Sequence, residues 1–325
     1  MPDDAANPPP LRLAMIGMVP GNGHPYSWSA IINGYDRDLM AACPYPVIGQ
    51  YLNAQPAGSV GLPHAAVTHI WTDDPADARL VAPAALIPHI LACPEDAIGQ
   101  VDAVFIATDD GYTHVARARP FIEAGLPVFI DKPLALTVED LRTFIAWRSN
   151  GARLLSSSGL RFAPEFDALL ADPSPLGELR WLSGLTCKAW ETYGIHALEP
   201  LFRFTGPGYS SILLESQPGL EVAHLQHHSG VQVTIPVIAD GGAAFGTFQL
   251  TGTAGPQRIQ LKDTYTAFHR QIVSFLDYVR TGTEPCPFAH TIELMALLIG
   301  GIRSREEGSR RVDIPELLSL LNHRS

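Results

Sequence analysis

The sequence predicts an α/β protein in two parts. Residues 1–134 form a unit on a parallel sheet, and residues 135–325 form an α+β unit with a large, mainly antiparallel sheet. Three observations carry this. Short apolar runs alternate with helix-length segments from Leu11 to Ile130, which calls for βαβ units. From Arg180 to about Leu261 the texture changes to strands of period two with little helix between them. A chain of 325 residues makes about two domains at roughly 150 residues each. With 46% hydrophobic and 17% charged residues, each half can bury a core of its own.

Leu11–Ile16 is an apolar run closed by Gly17, which suits a parallel strand buried on both faces. The glycine- and proline-rich stretch from Gly17 to Pro25 is a loop, and Ser27 is placed to cap a helix over residues 29–35. Residues 42–63 have no clear period and read as an irregular excursion, with one candidate strand at 47–51. A strand over 67–71 leads to Asp74 as a helix cap, with Pro75 at the first helical position. Residues 101–107 form another buried strand. Residues 114–124 form a helix stopped by Gly125, with Pro127 just beyond. Val128–Ile130 is a third buried strand of this series and runs straight into Asp131, Lys132 and Pro133.

A further helix begins at Thr137, with Asp140 three residues on in the manner of a capping box, and ends near Asn150 and Gly151. In the second half Val231, Val233, Ile235 and Val237 line one face of a strand, and residues 245–250 supply another. Two amphipathic helices follow. The first presents Ile272, Phe275, Leu276 and Val279, the second Leu294, Leu297, Leu298 and Ile302.

The formal charge of −11 and the lack of any basic cluster exclude nucleic acid and anionic membrane surfaces as partners, since both need patches of Lys and Arg. Only three lysines occur, Lys132, Lys188 and Lys262. Cys43, Cys93, Cys187 and Cys286 are scattered without metal-ligand or disulfide spacing, so no metal site is expected. The first ten residues are acidic and proline-rich, unlike a signal peptide, and no apolar run is long enough to span a bilayer. A cytoplasmic protein is expected.

In parallel sheets ligands gather at the carboxyl ends of the strands. Lys132 stands at such an end, where partial desolvation can bring a lysine into the range for proton transfer; the alternative is a strand-end turn with a solvated charge pair. In the segment from Glu191 to Glu199, a helix starting near Gly194 would put His196 and Glu199 on one face. A neutral histidine beside carboxylates suits proton shuttling, and a hydrogen-bonded core histidine is the alternative. Thr108, Asp109 and His114 belong to a block where a loop leaves the sheet and would meet a cofactor. His224 and His228 would lie roughly 13 Å apart on one strand, too far for that pair alone to hold one ion.

The order and spacing of these blocks resemble the Gfo/Idh/MocA oxidoreductases. The run from Asp102 through Thr108 and His114 to Gly125 and on to Asp131-Lys132-Pro133 is similar to that family's passage through its acid-Lys-Pro motif. Arg161, the Gly194 to His196 segment with Glu199, and the stretch from Phe275 to Gly282 fit in order. The likeness covers most of the chain from about Val67. It implies that residues 1–134 are a Rossmann-type dinucleotide-binding domain and residues 135–325 a substrate-binding and oligomerisation domain. It implies catalytic roles for Lys132 and His196, with Lys132 contacting the substrate hydroxyl and nicotinamide ribose, and His196 orienting or deprotonating that hydroxyl. Asp131 would lie against the cofactor, and Arg161, Tyr193 and Glu199 against the substrate.

Two departures stand out. The family's glycine loop lets the backbone approach a pyrophosphate at a helix N-terminus. Here Gly17 is followed by Val19 where the second glycine belongs, and Gly21, Gly23 and His24 come later as the candidate cofactor contacts. His24, Tyr26 and Trp28 form an aromatic group that either stacks on a cofactor or sugar ring or fills the gap left by the altered loop. The ribose-binding acid is best sought at Asp73 or Asp74, 56 and 57 residues after Gly17 instead of about 20. The second departure is Thr192, where many relatives carry Asp four residues before the histidine; adjacent Glu191 is the candidate replacement.

The leading expectation is an NAD(P)-dependent dehydrogenase of a secondary alcohol on a sugar, cyclitol or sugar acid. NAD is favoured over NADP because no Arg or Lys follows the second strand. The resemblance also implies a homodimer or homotetramer. The alternatives are a relative that holds its dinucleotide tightly or runs lyase or hydrolase chemistry, and a non-catalytic ligand-binding relative.

Overall fold

The computed structural model describes residues 9–322. The reading of the first ten residues as no signal peptide falls almost entirely outside them. The first half runs β1 (Leu11–Ile16), α1 (His24–Asn33), α2 (Arg37–Met40), α3 (Pro46–Asn53), β2 (Ala65–Trp71), α4 (Pro75–Ala84) and β3 (His89–Ile90). It continues through β4 (Ala103–Ile106), α5 (His114–Glu123), β5 (Val128–Ile130), α6 (Val138–Ser149) and β6 (Leu154–Ser156). The six strands pair in the order β3-β2-β1-β4-β5-β6, all parallel. The order reverses between β1 and β4, the switch point where ligands of doubly wound sheets bind. β6 carries this sheet past the division expected at residue 134.

The second half runs α7 (Asp167–Ala171), β7 (Leu179–Cys187), α8 (Trp190–Thr205), β8 (Tyr209–Gln217), β9 (Leu220–His227) and β10 (Gln232–Ile238). It closes with β11 (Thr247–Gly252), β12 (Gly255–Gln260), α9 (Thr264–Thr281), α10 (Phe288–Glu306), β13 (Val312–Asp313) and α11 (Ile314–Asn322). Its seven strands pair in the order β12-β11-β7-β10-β9-β8-β13. The expected mainly antiparallel sheet is present, with β10 and β7 its one parallel pair among the described residues. Val233, Ile235 and Val237 share the buried face of β10 as their alternation requires.

Three local expectations change, and one strand was not foreseen. The helix after the glycine loop starts at His24, because Pro25 suits a first turn and the side chain of Asn22 accepts the His24 amide at 2.9 Å; Ser27 lies inside the helix. Residues 47–51 are helical, not a strand. Pro46 opens α3, and Ile48 and Leu52, one turn apart, are its buried residues. α8 starts at Trp190, four residues before Gly194, with the indole buried and donating to the Leu298 carbonyl at 3.0 Å. β6, only three residues long, carried no pattern that sequence could separate from a loop.

The halves are tied by α9, which crosses back onto the first sheet. Phe275 lies 5.0 Å from Phe105 and 5.6 Å from Phe129, ring centre to ring centre, and both partners point from central strands. Trp28, fully buried, packs on the same two phenylalanines. This aromatic cluster fixes α1, and with it the glycine loop, against the α9 of the second half.

Candidate functional site

A cavity of about 420 Å³ opens at the carboxyl ends of the parallel strands, between the glycine loop and the second half. Its wall includes Gly21, Asn22, Gly23 and His24 from the loop, Asp109 and Lys132 from the sheet, and Lys188, Tyr193 and His196 from the second half. The excursion helix supplies Val47, Ile48 and Tyr51, with Tyr45 just ahead of it.

Gly17 has φ +89° and passes so close to Thr108 that a Cβ would lie 2.6 Å from its methyl group. Only glycine fits both conditions. Gly21 also has a positive φ, but it faces open space and its amide donates to the Tyr45 hydroxyl at 3.2 Å. A Cβ on Gly23 would lie 2.6 Å from the Tyr45 ring. The excursion therefore packs on the remodelled loop and completes one wall of the cavity.

Lys132 follows β5 across a cis bond to Pro133. Its side chain is almost wholly buried, and Nζ lies 3.2 Å from Asp109 Oδ2 and 3.5 Å from the Thr192 carbonyl. The ammonium also lies 5.2 Å from the centre of the Tyr193 ring, in cation–π range. His196 is buried, with Nδ1 2.7 Å from the Ser158 hydroxyl. Burial, reinforced by the Lys132 charge, holds its proton affinity well below the ordinary histidine value, so the ring is neutral at neutral pH.

Asp131 is fully buried. Burial alone would raise its carboxyl, but His24, Lys132 and Asn22 outweigh that and hold it at about 2. Oδ2 lies 2.6 Å from His24 Nδ1 and accepts from Asn22 Nδ2 at 2.9 Å, and Oδ1 accepts the Lys132 amide at 2.7 Å. Asp131, expected against the cofactor, is buried behind the cavity wall and supports the cleft through those three residues.

Other expected site residues are not brought to the cavity. Glu191 is paired with Arg305 of α10, which also holds Glu221 at 2.8 Å, so it does not stand in for the missing aspartate. Beginning α8 at Trp190 turns Glu191 to that side. Arg161 and Glu199 pair with each other at 2.8 Å, both buried, and Glu199 also accepts the Ser158 amide at 3.0 Å. They buttress Ser158 and His196 and do not line the substrate space. His114 is fully buried, with its ring nitrogens against the carbonyls of Thr108 at 2.7 Å and Pro133 at 2.9 Å. It staples the end of β4 to the turn after β5. Tyr26 and Trp28 are core residues, whereas His24 alone of that trio reaches the cavity.

Two residues were missed as site residues. Lys188, at the end of β7 with φ +61°, holds its ammonium 4.4 Å from the centre of the Tyr193 ring and forms no ion pair among the described residues. Its rarity as one of three lysines was the only signal for it. Arg117 of α5 is the other. It grips Asp73 through two hydrogen bonds of 2.7 and 3.2 Å, beside Gly17, and nothing in the local sequence joins α5 to the end of β2.

A dinucleotide fits this frame. Asp73 stays partly exposed beside the loop and accepts the Met18 amide at 3.2 Å, so a carboxylate stands within reach of a ribose diol. Gly21 borders the cavity with no side chain to block an approaching phosphate, and the buried Thr108 hydroxyl has no partner of its own. Among the described residues no group of three or more His, Cys, Asp or Glu could hold a metal ion, and no helix is long and apolar enough to cross a membrane.

Residues 47–173 match the family described as the oxidoreductase family with an NAD-binding Rossmann fold, GFO_IDH_MocA. A segment of 79 residues is 42% identical to inositol 2-dehydrogenase 1 of Saccharopolyspora erythraea, covering 23% of each chain. The chain thus spans under a third of the length of the curated relatives it matches. Among solved structures, scyllo-inositol dehydrogenase from Lactobacillus casei with bound NAD(H) and scyllo-inositol aligns with a TM-score of 0.71 at 14% identity, over 94% of this chain and 99% of that one. An oxidoreductase from Agrobacterium radiobacter in complex with NAD+, L-tartaric acid and magnesium aligns at 0.69 and 17%, over 94% and 99%. At these identities the likeness establishes the fold, which covers both halves.

Proposed function

We propose, from the match of residues 47–173 to the Gfo/Idh/MocA oxidoreductases, that the chain is a member of that family and an NAD-dependent dehydrogenase of a secondary alcohol on a sugar, cyclitol or sugar acid. The observation that carries this is the meeting of Lys132 and His196 in one cavity at the switch-point end of the sheet. When bound, the nicotinamide group accepts a hydride from the alcohol carbon. Gly21, Gly23 and Asp73 would hold the dinucleotide, with Gly17 and Thr108 setting the loop that carries it.

Lys132, aimed by Asp109, binds the reacting hydroxyl and lowers the cost of removing its proton. His196, neutral and fixed through Ser158, orients the same hydroxyl. Tyr193 packs edge-on against His196 at 4.9 Å, and Phe245 closes the pocket behind both. Asp73 favours NAD, since a carboxylate beside the ribose repels a 2′-phosphate, although Arg117 offsets part of that charge.

Lys188 favours the acid-bearing members of this substrate class. Lys132 is neutralised by Asp109, so Lys188 is the cation in the wall left without an ion-pair partner among the described residues. A substrate carboxylate would supply one. The fold neighbour holding L-tartaric acid supports the same choice. The test is NADH formation across a matched panel of neutral polyols, cyclitols and sugar acids. NADH formed with at least one member and lost on Lys132→Ala supports the reading, and no NADH with any member contradicts it.

A further inference from the structure

We propose that His24 and Asp131 form the proton-accepting dyad of this cleft, with the substrate proton passing to His24 Nε2 while His196 only orients the hydroxyl; the inference rests on the dehydrogenase reading above. No feature of the family resemblance assigns that role to a histidine of the glycine loop.

The geometry is that of an oriented base. Asp131 Oδ2 sits 2.6 Å from His24 Nδ1 and is fully buried, so Nδ1 carries the proton of the neutral ring and Nε2 is left bare. Asn22 Nδ2, at 2.9 Å from the same oxygen, and the Lys132 amide, at 2.7 Å from the other, fix the carboxylate plane. The imidazole is clamped between Trp28, stacked at 4.2 Å and 16°, and the edge of Phe268 at 5.3 Å. It still reaches the cavity.

His196 lacks what a proton acceptor needs. Its Nδ1 meets a serine hydroxyl, and the nearest carboxylate in its support, Glu199, is spent on the Ser158 amide and Arg161. An imidazolium there would sit buried beside the Lys132 ammonium, and Asp131, the carboxylate that also acts on it, is already in contact with His24. On His24 the same charge would face Asp131 directly. The other ionisable groups around His24 are Lys132 and Asp109 beside Asp131, His196, Lys188, Tyr193 and Cys187 from the second half, and Tyr45 and Tyr51 from the excursion. The dyad also accounts for the Thr192 departure. The chain lacks the usual aspartate, Glu191 is held by Arg305, and the loop that gave up a glycine supplies a histidine instead.

In the step, the substrate O–H bond breaks and its proton moves to Nε2. The C–H bond breaks with its electron pair leaving to the oxidised nicotinamide dinucleotide, and the carbonyl forms. The alcohol is oxidised by two electrons and the dinucleotide reduced by two, and the imidazolium then releases its proton to water through the open cleft.

The test begins with nitrogen NMR of histidine-labelled protein without cofactor. His24 is expected as the Nδ1–H tautomer, with that preference lost in Asp131→Asn; an Nε2–H tautomer in the parent protein overturns the dyad. Next, His24→Ala, checked for folding by its melting curve and for NADH binding by fluorescence, is expected to lose 10²–10⁴-fold in kcat. Added imidazole should restore part of it, with no such rescue in His196→Ala. His24→Gln provides a second variant if the alanine protein does not fold. Rescue of His196→Ala in place of His24→Ala, or a His24 variant with parental kcat, overturns the dyad while leaving the dehydrogenase intact. A parent protein that binds no dinucleotide overturns the dehydrogenase reading and the step with it.

Discussion

Asp109 Oδ2 lies 3.2 Å from Lys132 Nζ, joining the loop after β4 to the end of β5 on the adjacent strand. Both side chains are largely buried, so each charge depends on the other. Removing one partner of such a pair leaves an uncompensated charge, a larger loss than the pair's own net worth. Lys132→Met is therefore expected to fold with lower stability than the parent, to retain NADH binding, and to lose roughly 10²–10⁴-fold in kcat. Asp109→Asn should retain part of that activity, because its amide oxygen still accepts from the ammonium. Steady-state kinetics with a fluorescence titration of NADH separates the two effects.

Gly17→Ala tests the loop. The new Cβ would meet the Thr108 methyl at 2.6 Å, and the φ of +89° disfavours any side chain. A loss of about 2 kcal/mol or more in urea unfolding is expected, since left-handed strain alone costs about 1–2 kcal/mol. Gly21→Ala meets nothing within 4 Å and should lose only the conformational part. Equal losses at the two positions would contradict the packing.

Asp131 gives the protein an acid limb. Its carboxyl is held at about 2, below the ordinary 3.8, so ionisation stabilises the fold above the ordinary value and that gain is lost as pH falls through about 2. Asp131→Asn should be less stable than the parent protein at pH 7, and the gap should narrow steadily from about pH 4 downward. Melting curves across that range check the sign. A gap that widens in acid contradicts it.

Lys188→Gln bears on substrate charge. With a sugar acid, KM should rise about tenfold or more and kcat change little, as for lost uniform binding. With the matching neutral polyol both constants should stay near parental values. Equal effects on the two substrates would place Lys188 outside substrate-charge recognition.

Much of this architecture was legible because its signals are local. Val128–Ile130 followed by Asp131 and Lys132 marks a buried strand and its ligand-facing end in five residues, and Asp74-Pro75 and Thr137 mark helix starts through cap chemistry that needs no tertiary partner. α3 was misread because two buried side chains, Ile48 and Leu52, are too few to show a period between prolines and glycines. The roles of Glu191, Arg161, Glu199 and His114 depended on distant partners. Arg305 lies 114 positions from Glu191, and the side to which Glu191 turns was decided by where α8 begins. The His24–Asp131 contact spans 107 positions, and no local pattern joins them.

The most direct test of the central claim is calorimetric titration of the purified protein with NADH, preceded by a check for carried-over cofactor. Saturable binding at micromolar or tighter affinity is expected, weaker for NADPH and weakened again in Gly21→Val, whose side chain would enter the space where the backbone would meet phosphate. Protein that carries no cofactor and binds neither dinucleotide would contradict it.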